Sequence, residues 1–386
     1  MHFSLTDEQQ MICDTARAFA SAELAPVAAD MEGPNGRQLL LGHLQKLSAL
    51  GFMGLNIDGH YGGTEAGVVA FSLAITELAK ACASTAVTVS VSNMVAEVIQ
   101  AVGNEAQKSH YLPKLCSGEF AAGAFCLTES GAGSDPAGMK TRAVRDGDDF
   151  LLSGAKIYIT SAEYAGVFVV WAVTDPSAKK GKGISCFLVD ADTPGISIGK
   201  AEDKMGQKAS ATNEVHFDQC RVRASQMLGV ENDGFRIAVA ELAGGRIGIG
   251  SLALGVGLAA MDFAAHYLAE REQFNQPLIN FQGLQWMLAD RATELEAARL
   301  LLMQAAWLKE QGKAFGKEAS MAKLFASEKA NDACYTALQM LGGAGYIKEY
   351  PLERMARDVR ITTIYEGTSE IQRIVIARDL IKQLNL

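Results

Sequence analysis

The composition of this 386-residue chain is that of a globular protein with extensive buried surface and room for large subunit interfaces. Hydrophobic residues make up 49% and charged residues 20%. The formal net charge of -9, with no basic run, argues against a nucleic-acid binder, although a local basic pocket for an anionic ligand stays compatible with it. The length predicts two or three domains, and no segment is long and apolar enough to predict a membrane span free of charges.

Cysteine and histidine usage predicts neither a disulfide framework nor a metal centre. The seven cysteines never form a Cys-x-x-Cys pair, and the six histidines lack metal-ligand spacing. Core thiols in a reducing compartment are the expected arrangement. The chain opens on Phe3 to Glu8 without an apolar signal core or an Arg-rich leader, so we expect a bacterial cytoplasmic protein, or a processed protein of the mitochondrial matrix.

Residues 1–120 are predicted to form a helical domain. Thr6 and Gln9 have the spacing of a capping box at the first helix. Apolar helices are expected over about 67–81 and about 90–102, after a loop rich in glycine.

Residues 121–228 carry the pattern of a β-domain. Short runs rich in β-branched and aromatic residues are predicted as strands near 150–160, 167–174, 184–190 and 214–222. Clusters of Gly, Asp, Pro and Lys separate these runs, which is typical of a small antiparallel barrel or sandwich.

Residues 229–386 return to helical patterns. One long helix is predicted over about 234–270, a second over about 281–311, and a third over about 316–341 that ends at a glycine pair. Long helices joined by short turns indicate a bundle. The chain is therefore expected to be an α+β protein in the order helical, β, helical.

The segment from Ile364 to Arg373 places Glu366 beside Gly367, just before a predicted helix. Ser369 and Gln372 have capping-box spacing, so Glu366 is expected on a tight turn. A general base that must reach a bound substrate needs such a placement. Taken alone, a glutamate here is more often a solvated residue before a surface helix.

A glycine-rich segment runs from Cys126 to Asp135 and lets backbone N–H groups approach a ligand closely. It matches neither a Walker loop nor a dinucleotide-binding fingerprint, because the glycine spacing differs. Three further segments carry polar, aromatic and glycine residues, and individually each is compatible with a strand, a turn or a helix cap: Lys156–Ser161, Arg271–Gln282 and Gln339–Tyr346.

In this order and spacing, the segments closely resemble the acyl-CoA dehydrogenase family over essentially the whole chain, and most the isobutyryl-CoA and short-chain branches. The resemblance implies a helical N-terminal domain, a central antiparallel β-barrel domain and a C-terminal four-helix bundle that forms the core of a homotetramer. It also implies FAD as cofactor, an acyl-CoA as substrate and an electron-transfer flavoprotein as electron acceptor.

The resemblance further implies α,β-dehydrogenation of an acyl thioester, in which Glu366 takes the α-proton while the β-hydrogen leaves as hydride to the flavin. The implied FAD-binding residues are Phe125, Leu127, Thr128, Gly133, Ser134, Tyr158, Ile159, Thr160, Arg271, Phe274, Phe281, Gln282, Gln339, Gly342, Gly343, Thr368 and Glu370. The implied substrate-binding residues are Ser134, Ala243, Gly244, Gly245, Arg246, Tyr365 and Gly367.

Three positions bear on how closely the family pattern is kept. Tyr158 stands where many members carry tryptophan, and Ala243 where many carry an aspartate. Some members place the base at the position of Gly245, which cannot serve as one and so strengthens the assignment to Glu366. Small residues at 243–245 favour a short or short-branched acyl group, although one methylene is worth only about 1–3 kcal/mol of discrimination.

Two alternatives remain open at this point. An acyl-CoA oxidase-like enzyme would pass electrons to oxygen, and it is disfavoured because no further C-terminal helical domain follows. A flavin-free, catalytically idle helical assembly partner is disfavoured because Glu366, Arg246 and the flavin-loop residues are all retained.

Overall fold

The computed structural model describes residues 4–384 and has the expected order of helical, β and helical regions. The ten α-helices of these residues are α1 (Asp7–Phe19), α2 (Gly36–Ala49), α3 (Gly67–Ala81), α4 (Ala83–Val102), α5 (Glu105–Ser117), α6 (Gly234–Glu270), α7 (Gln282–Glu310), α8 (Gly316–Leu341), α9 (Leu352–Arg360) and α10 (Ser369–Gln383). The strands are β1 (Ala122–Cys126), β2 (Arg142–Asp146), β3 (Asp149–Thr160), β4 (Ala165–Val173), β5 (Ile184–Asp190), β6 (Ile196–Ile198), β7 (Thr212–Arg223), β8 (Met227–Leu228), β9 (Glu272–Gln273) and β10 (Gln276–Pro277). The domain boundaries at 120/121 and 228/229 stay predictions.

The N-terminal helices confirm the predicted capping box, and one of them begins earlier than predicted. Thr6 caps α1 as predicted, its hydroxyl accepting from the Gln9 N–H at 3.2 Å while the Gln9 side chain accepts from the Thr6 N–H. Helix α4 begins at Ala83, several residues before the predicted start. Its first turns carry β-branched and hydroxyl residues of low helix propensity, and their complete burial outweighs that propensity.

The β-region is an open sheet, which corrects the predicted barrel. The strands pair in the order β6-β7-β3-β2-β4-β5-β8, with β1 added beside β4. The sheet is also mixed rather than antiparallel, because β1 and β2 both run parallel to β4. Strand periodicity indicates which residues are extended and which face is buried, but pairing and closure depend on contacts distant in sequence.

Helix α6 confirms its predicted bounds and shows why so long a helix tolerates glycines. A Cβ at Gly248 would lie 2.2 Å from the Ser90 Oγ atom, and one at Gly255 would lie 2.3 Å from the Thr76 carbonyl oxygen. These glycines therefore let α6 approach α4 and α3 more closely than any residue with a side chain would allow. The close contact places the start of α6 against α4, where the candidate site lies.

Burial also decides how two other sequence features are interpreted. All seven cysteines are buried free thiols, as predicted. Helices α4 and α6 are long and apolar enough to cross a bilayer by length and composition alone, which qualifies the expectation that the chain has no such segment. Most of each helix is buried inside the fold, as is usual for the core helices of a globular protein. Among residues 4–384, no cluster of three or more His, Cys, Asp or Glu side chains could hold a metal ion.

Candidate active site

Glu366 lies on a tight turn immediately before α10. Its φ is +54° and that of Gly367 is +88°, so two consecutive residues adopt the left-handed region. The helix cap is Thr368, whose hydroxyl accepts from the Ile371 N–H at 3.3 Å. The predicted Ser369–Gln372 capping box is therefore wrong by one residue. The turn itself is as predicted, and it aims the Glu366 side chain into the protein.

Two buried side chains hold this turn in place. The Lys323 ammonium donates to the Gly367 carbonyl at 2.8 Å. The Gln372 amide donates to the Glu366 and Gly367 carbonyls at 3.1 and 2.8 Å. Both side chains are 0% exposed. The sequence analysis did not identify either as a site residue, although a lysine within the small-residue run of α8 was the available signal.

The Glu366 carboxylate points at Gly245. Its Oε2 atom is buried and has no hydrogen-bond partner among the described residues. A Cβ at Gly245 would lie 2.8 Å from this oxygen and 2.8 Å from the Met94 sulfur atom. The carboxylate therefore fits beside α6 because position 245 has no side chain. An acceptor oxygen left free in a buried site is available to take a proton from a ligand.

The surroundings of Glu366 bring the pKa of its carboxyl group close to neutral pH. Burial raises the pKa of Glu366 to about 7, with the positive charges of Arg246 and Lys323 opposing the rise. Burial in turn lowers the pKa of Lys323 to about 8, and Glu366 opposes that change. Arg246 is 7% exposed and donates to the Ser320 hydroxyl at 3.1 Å, and its Nε atom is buried without a partner in the described part of the chain. A base of this strength suits proton abstraction near pH 7.

Tyr365 is anchored from the opposite side of the turn. The Gln207 side-chain amide donates to its hydroxyl at 3.2 Å and to the Asp358 carbonyl at 3.1 Å. The Gln207 N–H donates to the Asp358 carboxylate. Burial raises the pKa of Asp358 to about 6, while the Gln207 N–H opposes this. The linker between β6 and β7 is thereby fastened to the turn that carries Glu366.

A second charged cluster borders the predicted substrate residue Gly244. A Cβ there would lie 2.7 Å from the Lys309 Nζ atom, which also forms a salt bridge with Glu97. Glu241 is one helical turn before Gly245, and its buried Oε1 atom has no hydrogen-bond partner among the residues that the structure describes. Burial raises the pKa of Glu241 to about 8, and Glu97 adds to the rise. The sequence analysis missed all three charged residues.

One group of predicted cofactor residues lies in the β-region. The Thr128 carbonyl accepts from the Ile157 N–H at 2.9 Å, which joins the glycine-rich loop to β3. Tyr158 has a φ of +56° and is 64% exposed, so its ring stands free of the sheet. Phe125 packs on Trp171 with ring centroids 4.3 Å apart. Leu127 and Ile159 are buried in the β-region, whereas Gly133 and Ser134 are exposed and Thr160 is half-buried.

The other predicted cofactor residues form groups on helical elements. Arg271, Phe274 and Phe281 lie on the connection between α6 and α7, and Gln282 is the first residue of α7; the Phe274 and Phe281 rings pack edge to face at 6.1 Å. Gln339, Gly342 and Gly343 lie at the end of α8, and Thr368 and Glu370 at the start of α10. Phe274 is 86% exposed. That these groups bind one cofactor across a subunit boundary stays a prediction.

Three family models match the chain in succession. The acyl-CoA dehydrogenase N-terminal domain matches residues 6–119, the middle domain residues 124–220, and the C-terminal domain residues 232–381.

Curated relatives match over nearly the whole chain. The acryloyl-CoA reductase (NADH) of Anaerotignum propionicum is 45% identical, covering 99% of this chain and 97% of the relative. The short-chain specific acyl-CoA dehydrogenase of Clostridium acetobutylicum is 42% identical over 98% and 99%. The mitochondrial short/branched chain specific acyl-CoA dehydrogenase of Bos taurus is 44% identical over 97% and 86%.

Solved structures show the same fold. Butyryl-CoA dehydrogenase from Megasphaera elsdenii superposes with a TM-score of 0.95 at 40% identity, covering 99% of this chain and 100% of the other. A chain from a study of the electron transferring flavoprotein of Acidaminococcus fermentans gives 0.95 at 42% identity, with the same coverage. A glutaryl-CoA dehydrogenase from Mycobacterium smegmatis in complex with FADH2 gives 0.90 at 32% identity, covering 97% and 95%.

Proposed function

The chain belongs to the acyl-CoA dehydrogenase family, a family of flavin-dependent oxidoreductases, and we propose that it converts a short or short-branched acyl-CoA to the 2-enoyl-CoA with Glu366 as the α-proton base. One observation carries the assignment of the base: the Glu366 Oε2 atom is buried without a hydrogen-bond partner among residues 4–384, on a turn held by Lys323 and Gln372. A solvated surface glutamate would have neither feature.

FAD is the cofactor of this family, and the residues present fit it. The Tyr158 ring stands free at a strand end, and a Cβ at Gly131 or Gly133 would meet no atom of residues 4–384 within 4 Å, so backbone there is open to a ligand. The hydroxyls of Thr128 and Thr160 would hold the flavin edge. Arg271 would pair with the pyrophosphate, for which its guanidinium fork is suited. When bound, FAD accepts the β-hydrogen as hydride.

Proton transfer is the step that this chain's own residues perform. Near pH 7, a substantial fraction of Glu366 is ionised and can accept the α-proton. Arg246 and Lys323 favour the charged form and keep the raised pKa from rising further. The backbone N–H of Glu366 would donate to the thioester oxygen, where negative charge develops as the proton leaves. Exclusion of water around the carboxylate strengthens each of these interactions.

A short acyl group is supported by the relatives. Glycines at 244 and 245 remove side chains from the α6 face that Glu366 approaches, and the Glu366 carboxylate, Met94 and Lys309 fill the space beside them. Short-chain and short/branched-chain enzymes are among the relatives that match over nearly the whole chain. We further propose an electron-transfer flavoprotein as electron acceptor and a homotetramer as the working assembly; the cellular compartment stays a prediction.

The proposal is tested by anaerobic titration of the purified protein with isobutyryl-CoA, butyryl-CoA and octanoyl-CoA while the flavin absorption band is followed. Glu366→Gln is titrated in parallel, and Glu349→Gln, at an exposed position, serves as the matched control. We expect bleaching by the two short substrates in the wild type and the control, and none in Glu366→Gln.

Each other outcome contradicts a defined part of the proposal. Bleaching of Glu366→Gln at the wild-type rate excludes Glu366 as the base. Bound flavin that none of the three substrates bleaches excludes the substrate class. Rapid oxygen consumption during turnover would favour an oxidase, and a colourless protein that takes up no added FAD would favour an idle assembly partner.

A further inference from the structure

A buried ion pair beneath the glycine-rich loop takes no part in the chemistry described above. Lys156 is 0% exposed and Glu129 is 7% exposed, and their side chains meet at 2.9 Å. Lys156 lies in the middle of β3, two residues before Tyr158, and Glu129 directly follows Thr128. The pair therefore sits between the two segments of the β-region to which the proposed function assigns flavin contacts.

The two side chains hold three backbone groups of the connection between β1 and β2, which contains the glycine-rich segment. The Lys156 ammonium donates to the Leu127 carbonyl at 3.1 Å. The Glu129 carboxylate accepts from the N–H of Lys140 at 2.6 Å and from that of Thr141 at 2.9 Å. The loop also closes on itself, because Glu129 and Ala132 pair backbone to backbone. Both ends of this connection are thereby fastened to the same ion pair.

The same point fixes the distorted end of β3. The ladder between β3 and β7 is irregular between Lys156 and Ile159, and this bulge turns Tyr158 outward at positive φ. The Ile157 N–H, within the bulge, donates to the Thr128 carbonyl at 2.9 Å. Hydrogen bonds consequently join the loop that carries Thr128, the strand end that carries Tyr158 and Thr160, and the ion pair.

Stability alone does not account for such a pair. Burying two charges costs several kcal/mol per ion, so replacement of a buried pair by apolar residues is often neutral or stabilising. Burial lowers the pKa of Lys156, with Glu129 opposing it. For Glu129, burial favours a higher pKa, and Lys156 reverses this to a net lowering. A buried pair with fully used hydrogen-bonding groups is better suited to specifying one geometry.

We propose that Lys156 and Glu129 are positioning residues that hold the Leu127–Ser134 loop and the Tyr158–Thr160 strand end in the geometry that binds FAD. The inference rests on the proposed function, because it takes these segments as the flavin contacts. Neither side chain touches the cofactor in this account. Each acts through the backbone that it anchors.

The test measures FAD release from the purified holoenzyme in wild type, Lys156→Met, Glu129→Gln and the double variant. Released FAD is followed by its fluorescence on dilution, and the thermal midpoint is measured for each protein. Phe187→Leu, a substitution elsewhere in the buried β-region, is the control for general destabilisation. We expect the FAD dissociation constant to rise at least about tenfold in all three pair variants and to stay near wild type in the control.

The double variant separates positioning from stability. It leaves no unpaired buried charge, so we expect its thermal midpoint to recover toward wild type while its FAD dissociation constant stays raised. Recovery of both quantities would show that the pair serves stability alone and would overturn the inference. Unchanged FAD release in the single variants, or an equal rise in Phe187→Leu, would overturn it as well. A wild-type protein that binds no FAD would instead refute the proposed function.

Discussion

Gly245 and Glu366 face each other so closely that a single methyl group on Gly245 would lie 2.8 Å from the Glu366 Oε2 atom. The two residues are far apart in the chain, one inside α6 and the other on the turn before α10. The family resemblance names both positions as places where a base can stand. The contact shows that, in this chain, the two positions border the same point in space.

Gly245→Ala is expected to lower turnover at least about tenfold, because the new Cβ forces the Glu366 carboxylate or the Met94 side chain to move. The helix itself gains, since alanine is favoured over glycine by roughly 0.5–1 kcal/mol in a helix interior. Steady-state kinetics with butyryl-CoA and a thermal melt check both expectations. Gly42→Ala in α2, where a Cβ meets nothing within 4 Å, is the matched control and should keep full activity. Wild-type turnover in Gly245→Ala would refute the close contact.

The pH dependence of kcat/KM is expected to rise with pH through about 7, because Glu366 must be ionised to accept a proton and burial raises its pKa to about 7. Glu241→Gln is the control, since burial raises the pKa of Glu241 to about 8 and Glu241 lies one helical turn from Gly245. The rising limb should persist in that variant. Its disappearance would assign the titration to Glu241 instead.

The raised pKa of Glu366 also predicts how the free energy of unfolding depends on pH. Between the unfolded pKa of 4.5 and the folded pKa of about 7, the native state binds more protons at Glu366 than the unfolded state does. The contribution of Glu366 to the free energy of unfolding therefore falls as the pH rises through this window. Urea denaturation of wild type and Glu366→Gln at several pH values measures it. We expect the stability difference, variant minus wild type, to grow with pH; a constant difference would contradict the raised pKa.

Lys323→Met is expected to lower kcat/KM at pH 7 at least about tenfold. It is also expected to shift the rising part of the pH profile of kcat/KM to higher pH. The substitution removes the donor to the Gly367 carbonyl, and it removes a positive charge that lowers the pKa of Glu366. Lys329→Met, on the same helix but in a surface ion pair, is the control and should change neither quantity. A lower rate with an unshifted limb would show that Lys323 acts on the turn alone.

Gly255→Ala is expected to destabilise the protein by about 1–3 kcal/mol without a specific effect on the flavin. Its Cβ would lie 2.3 Å from the Thr76 carbonyl oxygen, so α3 and α6 must separate. Urea denaturation of the holoenzyme measures the change, again with Gly42→Ala for comparison. If Gly255→Ala were as stable as Gly42→Ala, α3 and α6 would accommodate a Cβ at position 255 without separating.

Local sequence patterns predicted most elements well. Helix α6, helix α8 and strand β5 have the predicted bounds, and the Thr6 capping box is present. The errors fall where long-range contacts decide. The closed barrel was wrong because strand pairing is not encoded in periodicity, and the start of α4 was misplaced because burial there outweighs propensity.

The sequence by itself determined the family, the order of helical and β regions, and the turn that bears Glu366, since motifs and periodicity are local properties of the chain. Only the tertiary structure decided which buried groups surround that carboxylate. Gly245 on α6 borders it, the charge of Lys323 on α8 acts on it, and the rise in its pKa comes from burial that no short segment produces alone. Desolvation and charge–charge interactions depend on distances in space, which the spacing of residues along the chain does not specify.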